Sequence, residues 1–156
     1  MPVYCLPRVA AELRERFAYA FSGYPGVPRL DIREVNFGDK IRFGGRDIEL
    51  VEVHHGPLPI FGFRWGEIAY LTDVKTLPAR TLVQCKGVKA LIISALHRTG
   101  THSHLSLAES LEFVEALEPE RGILTHFSHQ MGRTADVDAE LPPNVRCGWD
   151  GQRVYQ

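Results

Sequence analysis

Arg121-Gly122-Ile123-Leu124-Thr125-His126-Phe127-Ser128-His129-Gln130 decides how the chain is read, because a short apolar run stops there in a cluster of polar side chains. Gly122-Ile123-Leu124 is apolar on consecutive positions and follows a helical pattern ended by Glu118-Pro119-Glu120, which predicts a brief buried strand. Thr125 and His126 then fall at its carboxyl end. In layered α/β proteins such ends gather binding and catalytic groups, since the strand holds them rigid while the loops beyond open onto solvent. Two imidazoles three residues apart at that point suggest a metal or phosphate site. A strand-end histidine is as readily a hydrogen-bonded structural group, so the rest of the chain has to decide.

Length predicts one domain, residues 1–156, long enough to bury a real core. Hydrophobic residues at 44% and charged residues at 24% fall in the globular range, so disorder is not the default. A net charge of -1 gives no electrostatic reason to expect a nucleic-acid patch or an anionic membrane as partner. Cys5, Cys85 and Cys147 are odd in number, far apart and without a Cys-x-x-Cys pair, which argues against a disulfide framework or a zinc ribbon. Reduced thiols and a cytoplasmic location are expected. No apolar run approaches the roughly 20 residues needed to span a bilayer, and Met1-Pro2-Val3-Tyr4-Cys5 lacks the regions of a signal peptide. A chain that opens at once on a strand is expected to begin in mid-fold.

Taken in order, Pro2 to Cys5 is a candidate strand and Pro7 to Phe17 a helix, with Val9, Leu13 and Phe17 on one face. Ala18 to Arg29 carries Tyr19, Phe21 and Tyr24 among glycine and proline breakers, and reads as a packed surface loop, a lid, or a loop whose aromatics plug the core edge. Leu30 to Val53 changes period and predicts an antiparallel region of short strands, the last running into His54-His55-Gly56. Phe61 to Phe63 and Ile68 to Leu71 flank Gly66 as a hairpin whose second strand ends at Thr72-Asp73. Asp73 could cap the helix over Leu77 to Gln84 or ligate a metal; Pro78 starts that helix better, which favours the ligand. Lys89 to Ala95 is an apolar strand followed by His97, His102 and His104, with His97 and His102 expected on a flexible rim. Ser106 caps the next helix, with Glu109 at the capping-box position and Leu107, Leu111, Val114 and Leu117 as its buried stripe. Gln130 to Leu141 is weakly helical, and Val145-Arg146-Cys147 with Arg153-Val154-Tyr155 predicts a closing hairpin through Asp150-Gly151.

Four strand ends therefore carry His55, Asp73, His104 and His126, too far apart in sequence for a local finger, so any site is assembled by the fold. Imidazole and carboxylate suit Zn²⁺ and related divalent ions, and a shared carboxylate holds two cations together against their repulsion. Such a pair would polarise a phosphoryl oxygen and acidify a shared water.

Val53-His54-His55-Gly56-Pro57-Leu58-Pro59, Tyr70-Leu71-Thr72-Asp73, His104-Leu105-Ser106-Leu107 and Leu124-Thr125-His126-Phe127-Ser128-His129, in this order, resemble the second half of a metallo-β-lactamase-fold hydrolase. The nearer branch is that of phosphoribosyl cyclic phosphodiesterases, with tRNA 3′-processing endonucleases more distant, and the resemblance runs from Pro2 to Tyr155. It implies an α/β fold: half of a metallo-β-lactamase αββα sandwich, a mixed sheet with flanking helices. It implies two divalent ions, Zn or Mn, in the complete site. His55 would ligate the first, Asp73 bridge both, and His126 ligate the second. His104 would be the non-ligand histidine that meets the scissile phosphate and protonates the leaving oxygen, and His129 would orient a ligand from behind. The choice of His55 over His54 rests on its place before Gly56, and a one-residue slip would reverse it.

The family's leading motif, His-x-His-x-Asp-His, is missing: His102-Ser103-His104 imitates its start, but Ser106 and Leu107 stand where Asp and His would. Each ion would keep two ligands of this chain, where a tight catalytic zinc normally has at least three. Ser94 also stands where relatives often carry an acid. The chain is therefore expected to be the carboxyl-terminal part of a metal-dependent phosphodiesterase acting through a metal-bridged hydroxide on a small phosphodiester, with its site incomplete and the chain alone inactive. The other expectation is a non-catalytic remnant serving as a binding or oligomerisation module. Open edges and bare apolar faces would in either case favour a homodimer or self-association.

Overall fold

The computed structural model describes residues 1–23 and 25–154. The chain divides into two compact units, Met1–Asp39 and Lys40–Gln156, each described by itself.

In the first unit β1, Pro2–Cys5, pairs in parallel with β2, Asp31–Glu34, with Pro2 opposite Asp31 and Cys5 opposite Glu34. This corrects the expectation that β2 joins an antiparallel run with the strands after it. Helix α1, Pro7–Arg16, begins on Pro7, whose fixed φ suits a first turn. It buries Ala10, while Phe17, expected on its inner face, lies past the helix end and is 41% exposed. A 3-10 turn, Ala18–Phe21, follows, leaving Tyr19 and Phe21 exposed; Tyr24 lies outside the described residues.

The second unit is a seven-stranded mixed sheet in sequential order. Strands β3 (Lys40–Phe43), β4 (Arg46–His55), β5 (Leu58–Trp65) and β6 (Ile68–Leu71) are antiparallel neighbours joined by tight turns. Strands β7 (Ala90–Ser94), β8 (Arg121–Thr125) and β9 (Val145–Cys147) continue the sheet in parallel with β6. Parallel neighbours need crossovers, here supplied by α2 (Ala79–Cys85), α3 (Leu107–Leu117) and α4 (Thr134–Asp138). The predicted closing hairpin is corrected accordingly. Val145 pairs with Gly122 on β8, and Arg153 and Val154 are not in a strand.

One sheet face carries the main core. Val51 and Val53 of β4, Ala69 and Leu71 of β6, Leu91 and Ile93 of β7, Leu124 of β8 and Val145 of β9 meet Cys85, Leu107, Val114, Leu117 and Val137 from the three helices. Each fully buried aliphatic side chain there contributes ~1.5–3 kcal/mol. Space is tight beside β5: a Cβ on Gly62 would fall 2.8 Å from Leu71 and from Val53. The expected α3 stripe is present at Leu107, Val114 and Leu117, with Leu111 half-buried. The opposite face carries a smaller cluster of Ile68, Ala90, Ile92 and Ile123 beside Trp65 and Val154. No described helix is long and apolar enough to cross a membrane.

Candidate metal centre

Alternation along β4 determines which histidine points where. Val51, Val53 and His55 share the core side, so His55, the last strand residue, leaves the core at its rim. His54 points the other way, its Nε2 2.9 Å from Glu52 Oε1, and Glu52 also accepts from Arg80 at 2.6 Å. Gly56 turns the chain at φ 58°, a left-handed conformation that suits glycine.

Asp73 follows β6 at φ 57°, and His126 follows β8 at φ 64°. Neither is glycine, and such conformations cost free energy that surrounding structure must offset; they gather at functional sites. The turns are held by backbone bonds between the strand-end loops. Lys75 N–H donates to His54 O at 2.6 Å, Leu105 N–H to Val74 O at 3.1 Å, Leu96 N–H to Leu105 O at 2.9 Å, and Ser128 N–H to Leu96 O at 3.0 Å. Thr101 fixes His104 from both sides: its Oγ1 accepts from His104 N–H at 3.0 Å and donates to His104 O at 3.2 Å.

These constraints bring His55, Asp73, His104 and His126 together. His55 Nε2 and His104 Nε2 are 3.1 Å apart with their rings edge to face. His126 Nε2 lies 3.1 Å from Asp73 Oδ1, His104 Nδ1 lies 3.7 Å from the same oxygen, and the His104 and His126 rings stack with centroids 5.3 Å apart. Asp73 caps no helix, since α2 starts after Pro78. His129 opens a 3-10 turn, His129–Met131, and is exposed. His102 is exposed, as a rim residue should be, whereas His97 is half-buried with Nδ1 2.6 Å from Ser128 Oγ, so His97 is anchored rather than a flexible rim residue.

The residues fit a divalent ion. One donor atom each from His55, Asp73 and His104 lie within 4.8 Å of one another. Two nitrogens sharing a tetrahedral ion at ~2.0–2.1 Å stand about 3.3 Å apart, close to the His55–His104 separation. His104 Nδ1, across the ring from Nε2, is buried and has no hydrogen-bond partner in the described structure; an ion held through Nε2 leaves that nitrogen 3.7 Å from Asp73 Oδ1. Burial, reinforced by the neighbouring His55 and His126, holds the His104 imidazole below the usual histidine range against the opposing pull of Asp73.

Behind the cluster lie contacts that the sequence did not show. Ser94, fully buried, accepts at Oγ from Val74 N–H at 3.4 Å, directly beside Asp73, and its carbonyl accepts from Ser110 Oγ at 2.7 Å. Lys75 Nζ donates to Glu109 Oε1 at 2.5 Å. Glu109 was visible as a capping-box residue; its second partner, 34 positions away, left no local signal.

Comparison with known proteins agrees with this architecture. Residues 1–127 match the family described as "Beta-lactamase superfamily domain". An octanoyltransferase of Porphyromonas gingivalis (strain ATCC BAA-308 / W83) is 30% identical over 154 residues, which are 97% of this chain and 31% of that protein. The crystal structure of a diphosphatase from the PhnP family superposes with a TM-score of 0.85 at 26% identity, over 97% of this chain and 56% of that one. The metallo-β-lactamase-fold protein YhfI of Bacillus subtilis superposes at 0.69 with 12% identity, over 94% of this chain and 61% of that one. The chain thus spans less than two thirds of each of these three proteins. With the family match covering most of its residues and the mixed sheet with flanking helices shared with metallo-β-lactamase-fold structures, the chain belongs to the beta-lactamase superfamily domain family.

Proposed function

We propose that this chain supplies part of the site of a metal-dependent hydrolase acting on phosphodiesters. The observation that carries the reading is the meeting of His55, His104 and His126 around the Asp73 carboxylate, with Asp73 and His126 on left-handed turns. Similarity to the diphosphatase favours a phosphorus centre over other hydrolysable groups. The octanoyltransferase name belongs to a protein of which this chain matches 31%, and the three cysteines here are buried and absent from the group around Asp73. The cluster offers ligands and proton carriers rather than an acyl-accepting thiol.

In this reading His55, Asp73 and His126 would hold divalent metal, Zn or Mn, two ions in the complete site. Bound there, the metal supplies Lewis acidity toward a phosphoryl oxygen and lowers the pKa of water. Asp73 holds His126 at 3.1 Å and so fixes the direction of that imidazole. His104, between the His55 and His126 rings, meets the phosphate and carries a proton to the leaving oxygen. His129, exposed on the turn beyond His126, would orient that ligand in the complete site.

A second reading has its own observation: His104 joins His55 and Asp73 in one three-donor group, which would make it a ligand for a single ion. His104→Ala separates the two. Elemental analysis of the full-length protein and its variants, beside hydrolysis of a bis-aryl phosphodiester, is the test. Metal retained with hydrolysis reduced about 10²–10⁴-fold supports His104 as proton carrier; metal lost supports it as ligand. Because this chain supplies only part of the site, the deciding result is the effect of substitution: metal binding and hydrolysis by the full-length protein that Asp73→Ala leaves unchanged would overturn the function proposed.

A further inference from the structure

Asp73 and His104 sit on different loops, the segment 72–78 after β6 and the segment 95–106 after β7. The relation between their side chains depends on what ties those loops together. Beyond the backbone bond from Leu105 N–H to Val74 O, one side chain reaches both. Glu109, in the first turn of α3, divides its carboxylate between them: Oε2 accepts from Ser106 N–H at 2.8 Å, and Oε1 accepts from Lys75 Nζ at 2.5 Å.

A capping box by itself uses one carboxylate oxygen to satisfy the N-cap N–H. The second oxygen is free to solvent in an ordinary surface cap. Here it takes a lysine whose side chain is 20% exposed while that of Glu109 is 35% exposed, so the contact is a half-buried charge pair. Lys75 is itself seated by its backbone N–H on His54 O, beside His55. The 95–106 segment meets the same carboxylate at a second point. A Cβ at Gly100 would fall 3.1 Å from Glu109 Oε2, so the loop carrying Thr101 and His104 packs against it because residue 100 has no side chain.

We infer that Glu109 and Lys75 form a clasp that positions Asp73 against His104, setting the geometry of the site without touching metal or substrate. The inference rests on the reading of Asp73 and His104 as site residues. Glu109 and Lys75 are positioning residues. Their effect passes through the 3.7 Å relation between Asp73 Oδ1 and His104 Nδ1.

The test uses the full chain with Glu109→Gln, Lys75→Met, the two together, and Lys75→Arg. Glu109→Gln keeps an acceptor for Ser106 N–H, so the cap survives while the charge pair is lost. Three quantities are read: the ring NMR resonances of His55 and His104 without metal, Zn²⁺ affinity by chelator competition, and the thermal midpoint. Each single variant is expected to shift the His104 ring resonances and to weaken Zn²⁺ binding about 10-fold or more. The double variant should do little more than the worse single one, since both break the same contact, and Lys75→Arg should restore most of the loss. Lowered thermal midpoints with unchanged His104 resonances and Zn²⁺ affinity would overturn the clasp and leave an ordinary stabilising pair. If the unaltered chain alone binds no Zn²⁺, the His104 resonances decide whether the clasp positions this ring, whereas failure of the functional reading shows as metal binding and hydrolysis by the full-length protein that Asp73→Ala leaves unchanged.

Discussion

The Nε2 atoms of His55 and His104 stand 3.1 Å apart, a separation at which two lone pairs cannot face each other. Without metal, one nitrogen must carry a proton and donate it to the other, so the two rings must adopt opposite tautomers. Nitrogen-15 NMR of the metal-free chain should find one ring protonated at Nε2 and the other at Nδ1. Adding Zn²⁺ should move both sets of resonances together. Identical tautomers on the two rings, or a response confined to one, would contradict a shared site.

His126 holds a left-handed backbone at φ 64°, and its side chain is 36% exposed, so little packing depends on the ring. Removing the imidazole as His126→Gly or as His126→Ala deletes the same contacts but leaves different backbone costs. The glycine variant should be more stable than the alanine one by about 1 kcal/mol, by denaturant titration. Asp73, at φ 57°, should behave alike. Equal stability of the paired variants would mean that the turns store no strain.

How much of this was legible in the sequence follows from how local each signal is. The capping box from Ser106 to Glu109 was legible because both partners lie within one turn. His55 was chosen over His54 from its place before Gly56; the alternation from Val51 and Val53 that sets its direction depends on a strand register the sequence leaves open. Strand pairing over distance was not. Asp150-Gly151 looks like a hairpin turn, yet β9 pairs with β8 in parallel, and β2 finds its partner in β1 rather than in the strands after it. The spacing of Val9, Leu13 and Phe17 marked a helix but not its buried residue, Ala10, since small residues carry little weight in a periodic pattern. The four site residues were found as separate strand ends. That His97 is anchored on Ser128 depends on a contact 31 positions long.

Gly62 shows how closely the core beneath the site is packed. With a hypothetical Cβ 2.8 Å from Leu71 Cδ2 and Val53 Cγ1 and 3.0 Å from Val51 Cγ2, Gly62→Ala must push branched, buried side chains apart. Overpacking of this kind costs ~1–3 kcal/mol. Val53 is two residues from His55 and Leu71 two from Asp73, so Zn²⁺ affinity should fall together with stability. Urea unfolding and a zinc titration on the same preparation check both. An alanine variant as stable as the parent would mean that the strand relaxes at no cost.

Glu109 gives the pH dependence a sign. Burial raises its pKa, but the Lys75 ammonium and the bonds from Ser106 outweigh burial and hold the carboxyl below its ordinary value of 4.5. Above 4.5 the carboxylate is ionised in both folded and unfolded chains, and its contribution to stability is present in full. As pH falls below 4.5 the unfolded chain takes up the proton first, so the contribution shrinks and is lost as pH passes through the lower folded value. The stability difference between the unaltered chain and Glu109→Gln should therefore be constant from about pH 6 to 8 and narrow progressively below about 4.5. Thermal midpoints of the two proteins, measured side by side across that range, give the answer. A difference that widens on acidification would mean that Glu109 is held protonated in the fold and that the contact with Lys75 is not a charge pair.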